Sequence, residues 1–250
     1  MTRFGYLFAL VLTSLVLLPA AARAQQSSCA DCHFANSASP ALGHVGDWDR
    51  SAHSVNNVGC ETCHGGNAGT FDSFAAHRGI LNSANPASPV NFRNLPATCG
   101  KCHVGPFVAF QKSHHFEMLS TGDTHVPTCT TCHETAGSRL LSPKALEGQC
   151  QQCHGPKGVA PRPERAAAAR TLLEAVNESR DLLNSVKPFI NRISDKPRQA
   201  QLQAQYQQAQ VPLIEAGQSV HEFMFDTLKE RLSTARQRIE ALLTQLANPR

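Results

Sequence analysis

The chain has 250 residues, of which 41% are hydrophobic, 6% are aromatic and 17% are charged. This length suits one or two domains, and the formal net charge is +4. Composition alone indicates no function, and the ten cysteines are its most informative feature.

The first 24 residues have the three parts of a secretory signal peptide. Arg3 supplies a basic start, residues 6–18 form a short apolar run, and Ala22-Arg23-Ala24 matches a small-x-small cleavage site. The alternative is an uncleaved membrane anchor, but the run is shorter than the ~20 residues that a spanning helix needs. We therefore predict a signal peptide over residues 1–24, its cleavage, and a periplasmic protein without a stable membrane span.

All ten cysteines belong to five copies of the motif Cys-x-x-Cys-His, and none is left over. This is the attachment motif of c-type haem, because two thiols at that spacing reach the two porphyrin vinyl groups while the adjacent imidazole coordinates the iron. Zinc sites or redox dithiols could also use paired cysteines, but neither explains the five histidines. We predict five covalently bound haem c groups, held by Cys29, Cys32 and His33; Cys60, Cys63 and His64; Cys99, Cys102 and His103; Cys129, Cys132 and His133; and Cys150, Cys153 and His154.

Residues 25–158 contain all five motifs, at irregular spacing, in a segment rich in glycine, proline, serine and asparagine. Such a segment cannot bury enough apolar surface by itself, so we expect the haem groups to form its core. The apoprotein should then be largely disordered. We predict that this segment is a pentahaem cytochrome c domain.

Each haem iron has a second axial position, and the group that fills it separates an electron carrier from a catalyst. Seven histidines lie outside the motifs, which is enough for histidine at all five positions. Two of them stand in a recurring Ser-x-His pattern. His114 stays open as an alternative to His115, and His125, only four residues before Cys129, as an alternative to His44. The predicted second ligands, opposite the five motif histidines, are His53, His77, His115, His221 and His44.

The composition changes after residues 155–163, and residues 164–248 are rich in helix-forming residues. We predict a helix over 164–187 that Pro188 limits or kinks, then a glutamine-rich helix, then one long helix with apolar residues from Ile214 to Leu246. His221 falls within that apolar stripe, where a buried core histidine is the alternative to a ligand. The predicted fold is mainly α with extensive irregular structure, ending in a helical hairpin or small bundle that packs on the haem domain. An alternative role for this tail is homodimerisation.

The five motifs, the Ser-x-His elements and the tail segment Val220-His221-Glu222-Phe223 resemble bacterial multihaem cytochromes c. Similar chains include the tetrahaem partner of hydroxylamine oxidoreductase and the pentahaem donor to periplasmic nitrite reductase. The resemblance covers roughly residues 25–158 and implies closely stacked haems with paired histidine ligands. The catalytic relatives hold their active haem through a lysine motif or cross-link it to a tyrosine. Here every motif ends in histidine, and the only tyrosines are Tyr6 and Tyr206.

We therefore expect an electron carrier rather than an enzyme, working between a quinol-oxidising membrane cytochrome and a periplasmic reductase or outer-membrane conduit. The alternative is an oxidoreductase that acts on a nitrogen or sulfur oxyanion at a haem with an open axial site. Without Arg3 and Arg23 the formal charge is +2, and five oxidised haems with ionised propionates change it to about −3. Docking to basic patches of other redox proteins is expected, and nucleic-acid binding is not.

Overall fold

The computed structural model describes residues 27–36, 38–39, 42–135 and 140–248. In this part of the chain every regular element is a helix, which confirms the predicted mainly α class. The signal peptide predicted for residues 1–24 lies outside the described residues. None of the described helices is both long and apolar enough to span a bilayer.

Ten short helices occupy the described chain up to His154, and turns and extended segments separate them. More of this region is helical than its irregular composition predicted. The ten helices are α1 (Ser28–Ala35), α2 (Leu42–Asp49), α3 (Ala52–Val55), α4 (Glu61–His64), α5 (Ser73–Ala76), α6 (Leu95–Gly100), α7 (Val104–Gln111), α8 (His114–Ser120), α9 (Cys129–His133) and α10 (Pro143–His154).

Short polar side chains decide where several of these helices begin. Asp72 caps α5 by accepting a hydrogen bond from the backbone N–H of Ala75, and Ser142 caps α10 in the same way. Thr128 and Thr131 form a reciprocal capping box at the start of α9. Because a cap satisfies backbone N–H groups that have no partner within the helix, it stabilises helices too short to form by propensity alone.

The last third of the chain forms three long helices: α11 (Pro163–Asn191), α12 (Lys196–Ser219) and α13 (Phe225–Ala247). They pack on one another around a single apolar cluster of fifteen buried residues. The cluster consists of Leu172, Val176, Leu183, Val186, Ile190, Leu202, Tyr206, Ala209, Leu213, Ala216, Leu228, Leu232, Ala235, Ile239 and Leu242. The other two described clusters, in the first part of the chain, have three buried residues each.

Helix α11 continues through Pro188, which the sequence predicted as its limit or as a kink. Proline removes one N–H donor, but Pro188 lies close to the end of the helix, and Ile190 beyond it is fully buried. Packing of Ile190 in the core stabilises the final turn against that loss.

The prediction of one continuous helix from Ile214 to Leu246 is wrong. Helix α12 ends at Ser219, residues 220–222 form a 3-10 turn, and α13 begins at Phe225. Phe223 has a left-handed φ of 55°, which a right-handed helix cannot contain. Helices α12 and α13 then run antiparallel, since Arg231 contacts Glu215 and Arg238 contacts Gln208.

Leu183 and Leu182 are neighbours in α11 with opposite exposure, 2% and 44%. We predict that Leu183→Ala lowers the free energy of unfolding of the holoprotein by about 2–5 kcal/mol, because it leaves a cavity in the three-helix core. Chemical denaturation followed by far-UV circular dichroism measures the effect, with Leu182→Ala as the matched control. Equal effects of the two substitutions would contradict the described core.

Candidate metal centres

The structure pairs each of the five motif histidines with one histidine from outside the motifs. In every pair the ring centroids lie 5.6–6.1 Å apart. We number the pairs by motif: site 1, His33 with His77 at 6.0 Å; site 2, His64 with His44 at 5.6 Å; site 3, His103 with His53 at 5.9 Å; site 4, His133 with His221 at 6.1 Å; and site 5, His154 with His115 at 6.0 Å.

These separations fit one metal ion between two imidazoles. Metal–nitrogen bonds of about 2.0–2.1 Å place the centroids of two ligating rings about 6 Å apart. The ten cysteines are all free thiols, two beside each pair. The residues present therefore fit haem c, which needs two thiols and one or two axial imidazoles.

Buried serine caps position two of the histidines that lie outside the motifs. Ser51 accepts hydrogen bonds from the backbone N–H groups of His53 and Ser54 at the start of α3. Ser113 accepts one from Phe116 at the start of α8 and thereby fixes the first turn that contains His115. The recurring Ser-x-His pattern is thus a helix cap followed by a histidine in the first turn.

Several of the paired imidazoles are oriented by a hydrogen bond at Nδ1. His77 bonds the carbonyl oxygen of Ser73 at 2.7 Å, and His154 bonds that of Ala160 at 2.8 Å. His33 bonds Ser39 Oγ at 2.8 Å, and His221 bonds the carbonyl of Gln218 at 3.2 Å. A bond of this kind holds the ring, and donation from Nδ1 to a carbonyl leaves Nε2 as the nitrogen available to a metal.

Burial keeps four of the rings in the uncharged form that binds metals. Burial, assisted by nearby histidines, lowers the pKa of His115 to about 4 and also lowers the pKa values of His64 and His133. Burial likewise lowers the pKa of His221. A neutral imidazole is the ligating state, so these four rings, which belong to sites 2, 4 and 5, are set for coordination near neutral pH.

His114 and His125 lie away from the paired rings. His114 contacts Glu117 at 3.0 Å with 77% of its side chain exposed, and His125 contacts Asp123 at 3.2 Å with 89% exposed. Of the alternatives that the sequence left open, the structure therefore brings His115 and His44 to motif histidines. The ligand role of each residue stays a prediction.

Each motif lies next to the motif that follows it in the chain. Burial and the nearby thiol of Cys29 raise the pKa of Cys60, and burial and the nearby Cys99 raise that of Cys63. A hydrogen-bonding contact between Cys99 and Cys129 joins the third and fourth motifs and raises the pKa of Cys99. For the last pair of motifs, burial, with the nearby Cys150, raises the pKa of Cys132 to about 11. The five sites thus follow one another in sequence order.

Two residues around sites 4 and 5 were not singled out by the sequence analysis. Phe223 lies 4.5 Å from His115, ring centroid to centroid, and Glu222 is a buried carboxylate with two basic neighbours. They directly follow His221 in the tail segment that resembles multihaem cytochromes. The sequence offered one signal for this role: Glu222 is a charged residue directly beside the ligand candidate His221, in an otherwise apolar stripe.

Two family models and one curated relative match the chain. The family "Cytochrome c554 and c-prime" matches residues 13–65, and "Cytochrome c7 and related cytochrome c" matches residues 88–155. The two regions together contain all five motifs. The chain is also similar to the C-type polyheme cytochrome OmcC of Geobacter sulfurreducens, with 27% identity over 120 residues. That match covers 45% of this chain and 15% of the relative. No solved structure matches the chain.

Ser113 and Ser120 stand at opposite ends of α8 and differ in role. Ser113 is 3% exposed and caps the helix, whereas Ser120 is exposed and bonds only a carbonyl in its own turn. We predict that Ser113→Ala destabilises the holoprotein by about 0.5–2 kcal/mol, because a helix cap is lost. Ser120→Ala should leave the denaturation midpoint within experimental error. A stable Ser113→Ala variant would show that the cap does not hold the His115 segment.

Proposed function

We propose that this multihaem c-type cytochrome binds five haem c groups, each between two histidines, and passes single electrons between redox partners. The observation that supports the proposal most is the set of five imidazole pairs. Each pair joins a motif histidine to a second histidine at a separation suited to one iron ion. In this proposal the second ligands are His77, His44, His53, His221 and His115 for sites 1 to 5.

Covalently bound haem iron supplies reversible one-electron chemistry, with a potential set by its ligands and surroundings. The protein would hold the haem groups and tune their reduction potentials. The motif cysteines fix each group, and hydrogen bonds at Nδ1 orient imidazoles such as His77 and His154. Hydrogen bonds of this kind also raise the basicity of a ligand, which is one way to spread potentials along an array.

If a haem at each site were held by both histidines of its pair, no position on the iron would remain for a substrate. This favours the carrier over the alternative, an enzyme that reduces a nitrogen or sulfur oxyanion. The surplus histidines His114 and His125 are exposed and paired with carboxylates, away from the ring pairs. They therefore give the enzyme alternative no proton donor at any of the five sites.

The sequence order of the sites supports a single path for electrons. Cys99 has a hydrogen-bonding contact with Cys129, and electrostatic interactions link the thiols of the other successive motifs: Cys29 with Cys60, Cys63 with Cys99, and Cys132 with Cys150. Sites 1 and 5 are then the two ends of the path. Exchange with a donor and an acceptor at opposite ends is the simplest use of this order.

The wider setting of the protein belongs to the same proposal. Residues 1–24 would direct export to the periplasm, residues 25–158 would form the pentahaem domain, and residues 164–248 would support it. The donor would be a quinol-oxidising membrane cytochrome, and the acceptor a periplasmic reductase or an outer-membrane conduit. An acidic holoprotein would form transient complexes that salt weakens.

The proposal predicts five haems, all with two strong axial ligands. The pyridine haemochrome assay counts the haems of the purified holoprotein, and mass spectrometry checks that they are covalently bound. Low-temperature electron paramagnetic resonance of the oxidised protein should show low-spin iron only. Addition of nitrite, hydroxylamine or cyanide should change nothing. A high-spin haem that binds one of these molecules would instead support the enzyme.

His44 and His125 provide a matched pair for testing the ligand assignment. We predict that His44→Ala opens the sixth position at site 2, so one haem of the five becomes high-spin and binds cyanide. His125→Ala should keep all haems low-spin, because His125 is exposed and bonds only Asp123. The opposite result, with the high-spin signal in His125→Ala, would exchange the two assignments.

A further inference from the structure

The short segment Val220–Phe223 lies where the tail meets the first part of the chain. It interrupts the antiparallel helices α12 and α13, and it contacts α7. His221 pairs with His133 of site 4, with nearly parallel rings whose centroids lie 6.1 Å apart, while Phe223 contacts His115 of site 5. One four-residue segment therefore reaches two consecutive sites.

His115 is held differently from four of the other paired rings. At His33, His77, His154 and His221, a hydrogen bond at Nδ1 orients the ring. At His115, Nδ1 is buried and has no hydrogen-bond partner. A ring without that bond can rotate about its side-chain bonds unless packing prevents it.

Phe223 supplies such packing. Its ring meets the His115 ring at 4.5 Å and 82°, an edge-to-face contact. Phe223 is fixed in turn by the apolar cluster of Phe110, Leu119 and Val126, against which it packs. Its backbone has a left-handed φ of 55°, which is unfavourable for a residue with a side chain. This conformation aims the ring at His115 instead of continuing a helix.

Glu222 anchors the same segment from its other side. Its side chain is 4% exposed, with Oε1 3.1 Å from Lys112 Nζ and Oε2 3.7 Å from Arg231. Lys112 immediately precedes Ser113, the cap of the helix that contains His115. Arg231 also donates a hydrogen bond to Ser219 at the end of α12. A buried carboxylate between two cations resists displacement, since loss of either partner would leave an unpaired buried charge.

We propose that Phe223 is a positioning residue that sets the orientation of the His115 imidazole, in place of the hydrogen bond at Nδ1 used at other sites. The ion pair between Glu222 and Lys112 fixes the position of Phe223 relative to α8. This inference rests on the proposed function, in which His115 is the second ligand of site 5. Its consequence is that the helical tail controls two of the five centres, one by ligation and one by packing.

Electron paramagnetic resonance can test this, because the signal of a low-spin haem depends on the angle between its two imidazole planes. The planes cross at 54° at site 5 and lie within 4° of parallel at site 4. His115→Ala identifies the site 5 signal by abolishing it. We expect Phe223→Ala to shift or broaden that signal selectively, with five haems still bound, and Phe223→Leu to produce a smaller change of the same kind. Phe189→Ala, at a 58% exposed phenylalanine of α11, is the control and should give the wild-type spectrum.

The outcomes separate this inference from the function on which it rests. If the wild-type protein shows five low-spin haems but Phe223→Ala and Phe223→Leu match Phe189→Ala, Phe223 does not position His115. The inference is equally wrong if every low-spin signal changes together, since that result indicates general loosening. Should Phe223→Ala fail to fold, Phe223→Leu alone decides between a selective change and none. A wild-type protein without five low-spin haems would contradict the proposed function itself.

Discussion

The first part of this protein depends on the pairing of ten imidazoles. Up to His154 the described chain has two apolar clusters of three buried residues each, whereas the three-helix tail has one of fifteen. Such small clusters cannot offset the conformational entropy of ordering more than a hundred residues. The five ring pairs join segments far apart in sequence, so coordination at these pairs would supply the long-range contacts that an apolar core supplies elsewhere.

The tail has the complementary physical character. Its core is apolar and continuous, its helices are long, and its ion pairs are mostly on the surface, where they add little stability. The exceptions are the contacts of Glu222, which reach from the tail to Lys112 in the first part. Residues 220–223, between helices α12 and α13 of the bundle, therefore form a segment that packs against two of the five histidine pairs. This arrangement lets ordinary hydrophobic packing fix side chains in a region that has little packing of its own.

Much of this could be predicted from the sequence, because the decisive residues follow local rules. The five motifs are contiguous, and Ser51 and Ser113 reveal the first turns that hold His53 and His115. The pairing of rings could not be predicted, since it depends on how distant segments cross. The helix break at Phe223 was missed for a related reason: the residues around it fit a helical period, and only tertiary contacts stabilise its left-handed backbone. The effect of Pro188 on helix α11 was overestimated, because burial of Ile190 offsets the hydrogen bond that the proline loses.

The two histidines of each pair are separated by different lengths of chain. The pairs therefore become complete in a fixed order as the chain is made. As the chain emerges with its amino terminus first, the His44–His64 pair is complete once residue 64 is available, and the His33–His77 pair is complete once residue 77 is available. His133 must wait for His221, which lies 88 residues further along the chain. Site 4 is therefore the last to be completed, after site 5. A chain released before residue 221 would lack the second imidazole of site 4, and the proposed path for electrons would then be incomplete.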